Sequence, residues 1–150
     1  MKHTIRKVER KDIETLVELC KAHAAFEGSG YSTANKVSDL SDHLFSKSPV
    51  LECLVVEMDK QLVGYATFMK QFSTWDAAFY VYMDCIYLEK ATRGKGIGKE
   101  LLNKVAQYAR SQNCSLIQWQ TPTANTRAIK FYREYGANSK MKERFFLDLG

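Results

Sequence analysis

The chain has 150 residues, enough for one domain spanning residues 1–150 that buries about two thirds of the surface its unfolded form exposes, so its core requires neither disulfide nor metal. Net charge is +5, with 22 Lys and Arg interleaved among 17 Asp and Glu, which favours acidic partners such as nucleotide phosphates but supplies no block of like charge of the kind seen in nucleic-acid tails. Cys20, Cys53, Cys85 and Cys114 form no Cys-x-x-Cys pair and read as buried small hydrophobes; with no signal-peptide core and no apolar run near the roughly 20 residues of a membrane span, a cytoplasmic protein is expected.

Residues 4–8 alternate as a short strand, and Asp12 stands where an acceptor belongs in the first turn of a helix through Leu16, Leu19 and Cys20 that frays near Gly28. A loop rich in Gly, Ser, Thr and Asn follows, then a shorter helix from Ser38 or Asp39 to Phe45. Residues 51–57 and 61–71 read as two strands joined as a hairpin through Met58-Asp59-Lys60, and residues 78–88 as a third long strand. The period then changes. Ile97, Leu101, Leu102, Val105 and Ala109 recur at three and four, the mark of a helix with one apolar face. A strand over 115–120, a helix over 126–135 and a last strand over 144–149 complete the order β-α-α-β-β-β-α-β-α-β, an α/β arrangement around one mixed sheet.

The most informative segment is Arg93-Gly94-Lys95-Gly96-Ile97-Gly98, where the third long strand gives way to the amphipathic helix. Glycines let the backbone approach a ligand, and the helix N-terminus with Arg93 and Lys95 attracts a diphosphate; a plain turn is the competing reading. A phosphate loop that consumes ATP is excluded by the missing Gly-x-x-x-x-Gly-Lys-Ser/Thr run: Glu100 follows Gly98-Lys99 where a magnesium-holding hydroxyl belongs. A dinucleotide fold is disfavoured, because no short strand-to-helix unit opens the chain.

This segment matches the Gln/Arg-x-x-Gly-x-Gly/Ala pattern of the Gcn5-related N-acetyltransferases, and the element order resembles theirs over nearly the whole chain. The resemblance implies a single domain with a mixed, mostly antiparallel sheet, and acetyl-coenzyme A as co-substrate without a metal. It also implies a pyrophosphate held at residues 93–98 with Lys99 beside it. Phe26-Glu27, Tyr82-Met83-Asp84 and the run from Asn125 through Phe131-Tyr132 to Gly136-Ala137 resemble the diamine (spermidine/spermine) and thialysine acetyltransferase branch. Met83 departs from it, standing where those enzymes commonly carry a glutamate that handles the amine proton.

An amine attacks a thioester as its free base, so the reaction needs a proton acceptor, an oxyanion donor and a proton for the departing thiolate. Tyr132 shares a helix face with Ile129 and by resemblance matches the general acid toward the sulfur; as a residue it reads equally as a core anchor. Asp84 interrupts an apolar strand, between Tyr82 and Ile86 on one alternation, and reads as a holder of the cationic amine or relay for its proton, or else as a structural ion pair or an exposed edge residue. Glu27 resembles an amine-recognition residue, against the plain reading of a solvated glutamate. Cys85, Ile86 and Tyr87 offer backbone groups to the pantetheine arm, with an N–H near Ile86 as oxyanion donor. Asn125 reads as a helix cap, and the resemblance adds cofactor contacts for Asn125, Ala128, Phe131 and Tyr132. Trp75 is a candidate for the acceptor pocket, with Trp119, Phe79 and Tyr80 as further candidates, all of which read equally as core or sheet-surface aromatics. His3, His23 and His43 lack metal spacing and receive no chemistry.

The function that follows is direct acetyl transfer to a primary amine of a small cationic acceptor: a polyamine, a diamine or an amino-acid side chain. Alternatives are acetylation of protein N-termini or lysines, of aminoglycosides, or acyl-coenzyme A binding without turnover. The expected partners are the small amine and a second copy in a homodimer, with no nucleic acid and no membrane.

Overall fold

The computed structural model describes residues 2–150, which divide into two compact units, one reaching to Trp119 and the other Gln120–Gly150. The first unit carries β1 (His3–Lys7), α1 (Ile13–Phe26), α2 (Lys36–Leu44), β2 (Glu52–Met58), β3 (Gln61–Ser73), β4 (Ala78–Leu88), α3 (Ile97–Ser111) and β5 (Ile117–Gln118). The sheet order is β1-β2-β3-β4-β5, antiparallel throughout except for the parallel β4–β5 pair. The expected class, a mixed and mostly antiparallel sheet flanked by helices, is the class found.

Each face of the sheet buries a different helix set. Ile13, Leu16, Val17 and Leu19 of α1 and Leu44 of α2 join Cys53, Val55, Leu62 and Tyr65 in one core cluster. Val56, Ala66, Phe68, Val81 and Met83 are buried too but lie outside that cluster; α3 packs on β3 and β4, where the Phe68 and Tyr108 rings meet edge to face. Two bulges make this division possible. On β3, Val63 is the extra residue between the pairs Val56↔Gly64 and Glu57↔Leu62; on β4, Asp84 is the extra residue between Thr67↔Cys85 and Phe68↔Met83. Because side chains alternate faces with period two, one inserted residue reverses the alternation beyond it.

The β2–β3 hairpin turns on Asp59 and Lys60, whose φ values of 51° and 65° give the two positive-φ residues of a type I′ turn without its usual glycine. At the N-terminus, Asp12 does not cap α1. It accepts both terminal Arg6 nitrogens, Nη1 at 2.7 Å and Nη2 at 3.0 Å, and the Glu9 N–H at 2.8 Å, tying β1 to the start of α1. The Arg6 hydrogen bonds hold the Asp12 carboxyl below its ordinary 3.8, outweighing the opposing effect of burial.

In the second unit α4 (Thr126–Tyr135) forms where expected, between the Asn125 cap and Gly136, which ends it at φ 116°. Two expectations need correction. The strand expected over 115–120 contracts to Ile117–Gln118, and the strand expected over 144–149 does not form; residues 137–150 have no helix or strand. The alternation of Phe145, Leu147 and Leu149 signals a side that can be buried, but a strand also needs a neighbouring edge for its backbone groups. Here no strand pairs with residues 144–149 among the described residues, and these side chains are 82–89% exposed.

Two measurements test these contacts. A Cβ at Gly64 would lie 2.7 Å from the Tyr87 carbonyl oxygen, so Gly64→Ala must displace β4 backbone; it should cost about 1–3 kcal/mol and lower the midpoint of thermal unfolding by roughly 2–4 °C per kcal/mol. Asp12 binds its proton more weakly folded than unfolded, so its stabilisation is complete above the unfolded pKa and is lost as pH falls through the folded one. Denaturant titrations between neutral pH and pH 3 should show a decline below about pH 4 that is shallower in Asp12→Asn.

Candidate active site

The β4 strand leaves its neighbour just where its geometry changes. β5 pairs only with Val81 and Tyr82, so among the described residues no strand pairs with residues 83–88 on the side away from β3. The opened stretch begins at Met83, includes the Asp84 bulge and runs through Cys85, Ile86, Tyr87 and Leu88 toward the glycine turn. A backbone edge of this kind can receive the amide groups of an extended ligand as an added strand.

At the end of that edge lies the glycine turn. Gly94 and Gly96 have φ of 77° and 81°, and open space surrounds the position of a Cβ at either. Gly96 precedes α3 without a side-chain cap; its carbonyl accepts the Glu100 N–H at 3.2 Å, while no backbone carbonyl among the described residues accepts an N–H of residues 94–99. These donors, the positive end of the helix dipole and the exposed Lys95 and Lys99 make an anion site. Ile97 is buried and anchors the helix start, and Gly98 is half-buried. Arg93 is engaged differently: its Nε donates to the Leu88 carbonyl at 2.9 Å, and its guanidinium lies 4.5 Å from the Phe26 ring centre and 5.6 Å from that of Tyr87.

Asp84 is exposed, and its Oδ2 accepts a weak hydrogen bond from the Cys85 thiol at 3.8 Å. The expected alternation with Tyr82 and Ile86 is broken by the bulge, which removes the desolvation cost inferred for this carboxylate. Met83 is buried at 1% exposure, on the side of Phe68.

Glu27 follows α1 and accepts from His23 Nε2 at 2.9 Å, while His23 Nδ1 meets the Tyr65 hydroxyl at 2.8 Å. The His23 ring stacks on Tyr87 at 4.9 Å with the planes 21° apart. His23 therefore enters the site although the sequence reading gave it no role; the signal was its i,i+4 spacing from Glu27 on a helix. Beneath lie Cys20, Tyr31, Tyr65 and Cys85. Burial pushes the Cys20 thiol and the Tyr65 hydroxyl up, and raises Cys85 and Tyr31 each to about 12, so all four hold their protons at neutral pH. Trp75 sits in the β3–β4 turn at 97% exposure, roughly 20 Å of strand from Asp84, and the first unit does not bring it together with Glu27.

In the second unit, Asn125 Oδ1 accepts the Ala128 N–H at 3.3 Å, the expected cap. Phe131 and Tyr132 are half-buried on α4 with ring centres 5.5 Å apart, and the Tyr132 carbonyl accepts the Gly136 and Ala137 N–H groups that close the helix.

Residues 13–137 match the sequence profile of the acetyltransferase (GNAT) family. The chain belongs to that family. It is an acetyltransferase that uses acetyl-coenzyme A as donor. Mouse (Mus musculus) thialysine N-epsilon-acetyltransferase is 28% identical over 141 residues, covering 89% of this chain and 82% of that protein. The human (Homo sapiens) spermidine/spermine N(1)-acetyltransferase-like protein 1 is 27% identical over 140 residues, covering 89% of this chain but 20% of its own length. Among solved structures, an aminoglycoside N-acetyltransferase in complex with CoA superposes with a TM-score of 0.83 at 18% identity, covering 99% of this chain and 96% of that one. Among the described residues no group of three His, Cys, Asp or Glu side chains is placed to hold a metal ion.

Gly96→Ala tests the turn. Forcing a β-carbon into the left-handed region costs about 1–2 kcal/mol; if the turn relaxes to relieve it, coenzyme A affinity measured by calorimetry should fall about tenfold or more, with far-UV circular dichroism unchanged. Undiminished affinity would place the diphosphate elsewhere.

Proposed function

We propose that residues 1–150 act as one N-acetyltransferase domain that moves acetyl from acetyl-coenzyme A directly onto a primary amine of a small cationic acceptor, a polyamine, diamine or amino-acid side chain. The observation that carries this reading is the pairing of a strand edge and amide-lined turn suited to the donor with two carboxylates, Asp84 and Glu27, suited to an ammonium. The thialysine and spermidine/spermine names of the relatives point to the same acceptor chemistry.

In this mechanism the backbone amides of residues 94–98, with Lys95 and Lys99, hold the diphosphate. The backbone of Cys85, Ile86 and Tyr87 holds the pantetheine arm, and an N–H near Ile86 polarises the acetyl carbonyl. Asn125, Ala128 and Phe131 support the arm. The acetyl thioester supplies the electrophilic carbon. Glu27 and Asp84 attract the ammonium, and Asp84, directly or through water, takes its proton; Met83 is buried as well as uncharged and leaves that work to its neighbour. The Tyr132 hydroxyl then protonates the departing thiolate. The protonated thiols of Cys20 and Cys85 favour direct transfer over an acyl-cysteine route.

The same reading places the protein in the cytoplasm as a homodimer that works on small molecules rather than nucleic acid. Its support is four free cysteines, dispersed charge, and the exposed Phe72, Trp75 and Phe79 around the β3–β4 turn, which suit association between copies. No helix among the described residues is long and apolar enough to cross a membrane.

A panel of polyamines, diamines, basic amino acids, peptides and aminoglycosides with acetyl-coenzyme A, followed by thiol release, tests the acceptor class; acetylation confined to peptides or aminoglycosides would overturn it. With the best acceptor, Tyr132→Phe should lower kcat by about a hundredfold or more while coenzyme A affinity holds. Unchanged turnover would remove Tyr132 from the acid role.

A further inference from the structure

We infer that His23 is a positioning residue for the acceptor: its imidazole bridges the buried Tyr65 hydroxyl to Glu27 and fixes where the carboxylate stands. The inference rests on the reading of Glu27 as the group that meets the ammonium. Three contacts determine the ring. Tyr65, at 1% exposure, meets Nδ1 at 2.8 Å; the Glu27 Oε2 atom meets Nε2 at 2.9 Å; and Tyr87 stacks against the face at 4.9 Å. The His23 side chain is 14% exposed and that of Glu27 35%, so the bridge runs from the core to the surface.

The donors along this bridge follow from chemistry. A carboxylate accepts only, so Nε2 must carry a hydrogen. When Nε2 alone carries the ring hydrogen, Nδ1 accepts, and the Tyr65 hydroxyl, which burial keeps protonated, is its donor. The line Tyr65 O–H to Nδ1, then Nε2–H to Glu27, thus selects one tautomer and one ring orientation. It occupies Oε2 and leaves Oε1, which has no protein partner among the described residues, for an incoming cation. A glutamate just past a helix end otherwise samples many rotamers. Holding it by one charge-assisted bond lowers the entropy lost when the amine binds.

The decisive comparison is His23→Leu against His23→Gln, whose amide can still donate to Glu27. His23→Leu should raise the acceptor KM about tenfold, matching the roughly 1.5–3 kcal/mol of a hydrogen bond to a charged group, with kcat and the KM for acetyl-coenzyme A within about twofold. His23→Gln should recover most of the loss, and His23→Leu should add little to Glu27→Ala, because both changes remove one interaction. An unchanged acceptor KM in His23→Leu, equal defects in the Leu and Gln variants, or additive losses would overturn the inference. Nitrogen-15 NMR of the wild-type imidazole supplies a readout independent of turnover and of variant folding: the Nε2–H tautomer is expected, weakened by Tyr65→Phe and by Glu27→Ala. An Nδ1–H ring, or one indifferent to both changes, also overturns it. Absence of turnover with every amine would sink the proposed acceptor chemistry while the NMR result still decides the bridge.

Discussion

The extra residue in β4 is the constraint on which the site depends. Val81, Met83, Cys85 and Tyr87 have the same parity, and in a regular strand all four would point one way. The Asp84 bulge separates them: Met83 pairs with Phe68, whereas Cys85 and Tyr87 join Thr67 and Tyr65 opposite and pack against the α1 cluster. One insertion therefore gives α3 its apolar floor, gives α1 an aromatic and thiol-rich one, and pushes a carboxylate out to solvent between them. It also falls two residues past Tyr82, the last residue that β5 pairs, so the strand edge opens close to where the backbone bends.

Burial on the α1 side has a chemical consequence. Cys20, Tyr31, Tyr65 and Cys85 are ionisable in principle, yet desolvation keeps each protonated near neutrality, which makes the floor a set of weak hydrogen-bond donors without nucleophiles. The charges around that floor are Glu27, Asp84 and Arg93, with Lys36 Nζ 5.2 Å from the Tyr31 ring centre. In the proposed chemistry a cationic acceptor meets Glu27 and Asp84 without their being fully desolvated, and the protonated floor limits competing reactions at sulfur.

Most elements were legible in the sequence because they obey one period each. The β4 and α4 limits agree with the expected ones, and α3 follows its apolar repeat. The failures have specific causes. Alternation cannot register an inserted residue, so it puts Asp84 in the strand interior, whereas the residue stands at a bulge. Alternation also reports a buryable side without reporting a partner edge, which is why Phe145 to Leu149 resembled a strand. Asp12 resembled a cap, but Arg6, six residues earlier in sequence and adjacent across the β1–α1 connection, competes for the same oxygens with a full charge. His23 was invisible for a related reason: its partners Tyr65 and Tyr87 are distant in sequence, and only Glu27 is local.

Arg93 shows most clearly how the donor and acceptor features are joined. By sequence its charge belongs to the diphosphate, yet its guanidinium is committed to the Leu88 carbonyl and to the faces of Phe26 and Tyr87. Each such cation–π contact is worth about 0.5–2 kcal/mol, enough to order a loop without freezing it. Phe26 precedes Glu27, and Tyr87 supports the His23 ring. The first residue of the glycine motif thus clamps the end of α1 against the end of β4, and the proposed phosphate recognition is left to backbone amides, Lys95 and Lys99. If the turn holds the donor and Glu27 the acceptor, as proposed, a displacement of the turn would be felt at that carboxylate through the Phe26 and Tyr87 rings.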